Sequence, residues 1–213
     1  MEKEKNGDLF GLFPKVVCRF NYEKDINKEI EFIKNIKYRE GAYGGANTRS
    51  LDTHILRCKE LEDINVFCKY RINTYLKDIM SATNKLVITQ SWINKSIKGK
   101  HHPEHHHPNS ILSGVFYFEV NETAPITFFR MAPEHRIICL SYSKSNFFNS
   151  DRFILSIKSG QLVIFPSDLA HGVPENQKEE VRFSLSFNTF AIEMGDKETL
   201  THLDIRDIND QDI

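Results

Sequence analysis

Five of the chain's nine histidines fall within the seven residues His101-His102-Pro103-Glu104-His105-His106-His107, and His171 stands alone much later, just ahead of an arginine-bearing segment. Imidazole is a ligand for divalent first-row metals. Two histidines at i and i+2 on an extended strand point to the same face, which makes His105 and His107 a candidate pair and His171 the third ligand that folding must bring alongside. Three protein ligands on one side of an ion leave the opposite positions open for chemistry. His102-Pro103-Glu104 offers a second choice, a histidine with a carboxylate, but it lies further from the strand beginning near Ser113 and is interrupted by proline.

A second polar signal is Arg182-Phe183-Ser184-Leu185-Ser186-Phe187-Asn188. Strict alternation puts Arg182, Ser184, Ser186 and Asn188 on one face of a strand and the apolar residues on the other. A guanidinium on such a face inside an apolar barrel calls for an anion. A small dicarboxylate held by the guanidinium fork, with a neighbouring hydroxyl, would supply it; the competing reading pairs Arg182 with a buried carboxylate such as Glu119. The remaining chemistry-bearing residues have plainer readings. His101, His102 and His106 read as loop residues, supporting donors or substrate contacts, and His54, His135 and His202 as structural or surface groups. Trp92 and Asn94 suit core packing and a strand-end hydrogen bond, with a pocket role as the second reading, and Phe128, Phe129, Phe147 and Phe148 suit packing of a barrel or its rim.

These residues need strands to hold them. From Lys85 onward the sequence runs in short β segments separated by turn residues, the texture of an antiparallel sandwich or barrel. Strands are expected near Leu86–Asn94, Ile111–Val120, Ile126–Arg130, Arg136–Tyr142, Phe153–Lys158, Gln161–Phe165 and Val181–Phe190, with Ser159-Gly160 as a tight turn joining two of them. Seven strands fit a jelly roll. Before them, a strand within Leu12 to Phe20, a helix over Lys24–Ile36 and a clear amphipathic helix over Glu60–Met80 form a supporting region, with Gly41 to Asn47 as a loop by composition. The expected organisation of the 213 residues is one domain: a helical N-terminal region (1–84), a β core (85–190) and an acidic tail (191–213) read as a solvated helix or frayed end.

Composition narrows the function classes. With 28 Lys and Arg against 29 Asp and Glu the chain has a net charge of −1, which gives no global footprint for nucleic acid or an anionic membrane, though local basic patches are compatible with it. Cys18, Cys58, Cys68 and Cys139 are far apart with no CxxC spacing, and the start is polar, so reduced thiols in a cytoplasmic protein are expected. No apolar run reaches the length of a membrane span. Hydrolase signatures such as GxSxG and HExxH are absent from the sequence.

Read together, Trp92-Ile93-Asn94, His105-His106-His107-Pro108-Asn109-Ser110, Ser113-Gly114-Val115-Phe116-Tyr117, Leu162-Val163-Ile164-Phe165-Pro166-Ser167, His171-Gly172-Val173 and Arg182-Phe183-Ser184 resemble the Fe(II)/2-oxoglutarate-dependent oxygenases. The likeness is to the short oxygenases common in phages and marine bacteria, with a prolyl-hydroxylase-like core, and it covers roughly Trp92 to Asn188. It implies a double-stranded β-helix, a cupin-like form of the jelly roll, and an iron(II) dioxygenase. Such an enzyme, most simply a hydroxylase, couples decarboxylation of 2-oxoglutarate to succinate with oxidation of an organic substrate by O2. Carried over by position, His105 and His171 would be iron ligands. Arg182 would pair with the distal carboxylate of 2-oxoglutarate, Ser184 would lie beside it, and Tyr117 would face the same carboxylate, its alternative reading being a core aromatic. One departure stands out: where the superfamily usually has Asp or Glu, this chain has His107. That departure motivates a second reading, a cupin-like barrel whose three-histidine site holds a metal without 2-oxoglutarate.

Overall fold

A computed structural model describes residues 11–41, 46–120, 125–130 and 140–207. In chain order the elements are β1 (Cys18–Asn21), α1 (Asn27–Asn35), β2 (Tyr38–Arg39), β3 (Thr48–Ser50), α2 (Glu62–Thr74), β4 (Leu86–Ser96), β5 (His102–His105), β6 (Leu112–Glu119), β7 (Ile126–Phe129), β8 (Arg152–Leu155), β9 (Gln161–Pro166), β10 (His171–Val173), β11 (Arg182–Ala191), β12 (Glu193–Met194) and β13 (Leu203–Asp204). A π-wound turn, Tyr75–Ile79, prolongs α2.

Two antiparallel sheets make the core: a seven-stranded one in the order β1-β9-β6-β11-β4-β3-β2, and a four-stranded one in the order β5-β10-β7-β8. Their facing sides enclose a hollow, and the outer side of the large sheet carries the helices. Phe183, Leu185 and Phe187 of β11 turn outward and join Phe116 and Phe118 of β6 with Ile64, Cys68 and Ile72 of α2. A smaller cluster around Tyr117, Ile126, Phe128, Val163 and Phe165 lies between the sheets. This is the double-stranded β-helix with N-terminal helices anticipated above. Gly114 of β6 is required by packing, because a Cβ there would overlap the ring of Phe187 on the neighbouring strand.

A β-bulge fixes which side chains of β4 face the hollow. Gln90 pairs with Asn188 and Ile88 with Thr189, so Thr89 is an extra residue on β4. Such an insertion flips the alternation. Leu86 and Ile88 therefore pack with the helix-side core, while Trp92, Asn94 and Ser96, of the same parity, line the hollow.

Several elements differ from expectation. The N-terminal strand begins only at Cys18. Ser159-Gly160 does not close a hairpin, since β8 belongs to the small sheet and β9 to the large one; Gly160, at φ +76°, turns the chain between them. The strand expected over Arg136–Tyr142 lies largely outside the described residues, as do 42–45 of the glycine loop, His135 and Cys139, and residues 140–142 form no strand. In the described part of the acidic tail, read above as a solvated helix or frayed end, β12 and β13 pair, His202 bonds to Glu193 at 3.0 Å, and a single 3-10 turn follows over Ile205–Asp207. No helix among the described residues is long and apolar enough to cross a membrane.

Candidate functional site

The histidine run forms β5, the edge strand of the small sheet, where Pro103 is tolerated because an edge leaves amides unpaired. β5 ends at His105, which sits opposite His171 in the register of β10. The expectation that His105 and His107 share one extended strand is therefore corrected. His107 lies past the strand end, where its backbone N–H donates to the Ser167 carbonyl at 2.9 Å, and Asn109, at φ +56°, turns the chain toward β6. The three imidazoles nevertheless converge. One ring nitrogen from each of His105, His107 and His171 lies within 4.8 Å of the others.

Two of the rings are oriented by the backbone. His105 Nδ1–H donates to the Pro103 carbonyl at 2.8 Å, and His171 Nδ1–H donates to the Leu169 carbonyl at 2.9 Å. A carbonyl can only accept, so both Nε2 atoms carry the bare lone pair that a cation takes. Burial, reinforced by the neighbouring imidazoles, holds the set neutral. His107 and His171 are pushed down to about 3, and His105 shifts the same way. His102 is pushed down to about 4 and packs its ring 4.2 Å from that of His105. Glu104 and His106 are exposed, and neither belongs to the group of three converging imidazoles.

The large sheet supplies the opposite wall. Arg182, Ser184 and Ser186 of β11 line the hollow as alternation requires, together with Val115 and Tyr117 of β6. Asn188 continues the polar face, accepting from Ser113 Oγ at 3.0 Å. Register places Ser184 between Asn94 and Tyr117, and Arg182 beside Ser96. Trp92 and Asn94, read first as core and strand-end residues and second as pocket residues, face the hollow too. Trp92 Nε1 donates to Asn94 Oδ1 at 3.2 Å, and Asn94 Nδ2 donates to Ser186 Oγ at 2.9 Å. The signal that could have found Asn94 and Ser96 is their own polar alternation at the end of the strand.

Arg182 is 5% exposed. Its Nη2 donates to Ser96 Oγ (3.1 Å) and to the Pro174 carbonyl (3.0 Å), but its Nη1 finds no partner among the described residues. The buried hydroxyl of Tyr117 is equally without one. Burial raises the Tyr117 phenol and lowers the Arg182 guanidinium, each opposing the charged form. Glu119, the competing partner for Arg182, is engaged by Lys34 at 2.9 Å. Two buried donors facing one hollow fit an anion that offers only acceptors, and 2-oxoglutarate is such an anion. Asn47, just ahead of β3, adds a buried acceptor of opposite character: its Oδ1 is unpartnered among the described residues, and Asn47 lines the same hollow. Composition marked it only as a loop residue.

Comparison with known proteins agrees with this geometry. Residues 90–188 match the family model described as "Putative 2OG-Fe(II) oxygenase". No curated protein sequence matches the chain. Among solved structures, the non-heme alpha ketoglutarate dependent epimerase SnoN from nogalamycin biosynthesis superposes with a TM-score of 0.61 at 10% identity, over 84% of this chain and 80% of that one. HygX from Streptomyces hygroscopicus, solved with nickel, 2-oxoglutarate and hygromycin B, gives 0.56 at 8% identity over 82% of each chain. A Pseudomonas putida prolyl-4-hydroxylase gives 0.52 at 10% identity, over 83% of this chain and 94% of that one. Such low identities speak for the fold alone. It is the family match over 90–188, on a double-stranded β-helix carrying a converged histidine trio, that assigns residues 90–188 to the 2OG-Fe(II) oxygenases, whose members use Fe(II), 2-oxoglutarate and O2.

Proposed function

We propose that the chain is a hydroxylase in which His105, His107 and His171 hold Fe(II), and Arg182 with Tyr117 and Ser184 holds the distal carboxylate of 2-oxoglutarate. The observation that carries this reading is the pair of unpartnered buried donors, Arg182 Nη1 and Tyr117 Oη, in the same hollow as the three imidazoles. When bound, the metal and cosubstrate supply the oxidising chemistry: dioxygen is reduced as 2-oxoglutarate loses carbon dioxide and becomes succinate.

The protein's part is positioning. The Pro103 and Leu169 carbonyls fix the tautomers of His105 and His171. The chain of bonds from Trp92 through Asn94 to Ser186 stiffens the wall opposite them, and Val115, Ile126 and Val173 keep it dry. A third neutral imidazole in place of a carboxylate leaves the metal site one unit more positive, which strengthens its attraction for a dianion. The cosubstrate presents acceptors only, so Asn47 Oδ1 is left for a donor on the substrate, a hydroxyl or an amide. The free thiols of Cys18, Cys58 and Cys68 suit a reducing compartment.

The test is succinate formation. Protein loaded with Fe(II) and supplied with 2-oxoglutarate in air is expected to release succinate, with His171→Ala inactive. Firmly held zinc together with no succinate under any metal would instead leave a three-histidine barrel without a cosubstrate.

A further inference from the structure

On the other side of the large sheet, away from His105, His107 and His171, a groove of about 490 Å³ runs between α2 and the start of β4, with His54 at its edge. Four cations line it: Arg57, Lys69, Lys77 and Lys85, all exposed. No carboxylate lines it, and none of the four forms an ion pair among the described residues, whereas Lys15, Lys24, Lys34, Lys98 and Lys100 each do. In a chain of net charge −1 this is a concentrated departure. Like charges around one depression repel one another and are relieved by an anion.

The helix is wound to present this face. Asn65, Lys69, Asn73 and Lys77 recur every four residues along it. On a 3.6-residue helix each such step over-rotates by about 40°, which would carry the last residue away from the groove. The π-wound turn Tyr75–Ile79, closed by the Met80 N–H donating to the Tyr75 carbonyl at 3.1 Å, adds a residue to that turn and winds Lys77 back onto the stripe. Below the cationic rim the floor is apolar, with Leu56, Val87 and Ile88. A charged rim over an apolar, amide-flanked floor matches a ligand whose own charge and flat apolar surface alternate along a chain. A flat lipid surface cannot reach a recessed floor, and an acidic peptide has no use for it.

We propose that this groove binds single-stranded nucleic acid, with Arg57, Lys69, Lys77 and Lys85 on the phosphates and the bases against the floor. The proposal is independent of the oxygenase reading, because the groove shares no lining residue with the hollow.

The test is fluorescence anisotropy of the full chain with a labelled 12-nucleotide oligo-dT, and with its RNA counterpart, at 50 and 200 mM salt. We expect saturable binding that weakens about 20- to 50-fold across that range, the slope for three to four phosphate contacts on a single strand. The double variant Lys69→Glu/Lys77→Glu should bind at least tenfold more weakly, while its melting temperature and its iron and 2-oxoglutarate binding stay unchanged. Absence of binding at 50 mM salt, or binding indifferent to the double variant, overturns the proposal. So does a free nucleoside triphosphate that binds as tightly as the 12-mer. Selective capture by phosphatidylserine vesicles through the same lysines, with no oligonucleotide bound, overturns it as well.

Discussion

Each polar atom in the hollow has a donor or acceptor character that fixes its role, and substitutions separate those roles. His171 contributes a bare Nε2, so His171→Ala should abolish stable metal binding in anaerobic titration; retained stoichiometric metal would remove it from the ligand set. Arg182→Ala takes away a charged donor at the far side of the hollow. It should leave metal binding intact and weaken 2-oxoglutarate about 10- to 100-fold, the ~1.5–3 kcal/mol of a hydrogen bond to a charged group; equal effects of both variants on metal would contradict the assignment. Tyr117→Phe gives a two-sided prediction. Its hydroxyl is buried and unpartnered, so its removal should leave the unliganded protein as stable as before or up to about 1 kcal/mol more stable, yet cost the cosubstrate about five- to tenfold in affinity. Denaturant unfolding and calorimetry read the two sides, and a destabilised unliganded variant would refute the account of an orphaned hydroxyl. The convergence of these residues was legible from type alone: clustered imidazoles and an arginine on a polar strand face are the groups that a cation and an anion would call for in one hollow. His102 and Asn47 were not, because a histidine in a run and an asparagine in a glycine loop carry no directional signal until the backbone aims them.

Whole elements decide which of those side chains reach the hollow. β6 and β11 lie close because Gly114 makes room for the Phe187 ring. Gly114→Ala should destabilise the protein by about 1–3 kcal/mol, the range for over-packing a tight core, and weaken metal binding little; thermal unfolding checks it, and a neutral result would mean the ring moves freely aside. The long strands β4, β6, β9 and β11 were readable from their apolar periodicity, as were both helices. β5 and β10 were not, because four- and three-residue strands rich in histidine, glycine and proline show no period. The bulge at Thr89 was also hidden, and with it the facing of Trp92 and Asn94, since three consecutive polar residues, Thr89-Gln90-Ser91, give no alternation from which an inserted residue could be read.

At the scale of the molecule, the apolar clusters that hold the fold include none of the three histidines. The helix-side core and the cluster between the sheets are built from aliphatic and aromatic residues, with the histidines at the margin of the second. Removing metal with a chelator should therefore lower the melting temperature without unfolding the chain at room temperature. Metal present at a hundred times its dissociation constant adds about 2.7 kcal/mol, which for a chain of this size is a shift of about 5–10 °C. Complete unfolding on chelation would show a metal-nucleated fold, and no shift would show that the trio binds nothing. The jelly-roll architecture was legible because many short strands with turn residues admit few other closures, whereas the tail's hairpin rests on two two-residue strands that no pattern announces. The central claim is that one hollow joins a cation held by three imidazoles to an anion held by Arg182. Anaerobic calorimetric titration of 2-oxoglutarate into the Fe(II)-loaded protein tests it most directly. One equivalent should bind, with affinity that collapses when iron is withheld and falls sharply in Arg182→Ala; heat that is absent, or indifferent to both iron and Arg182, would contradict it.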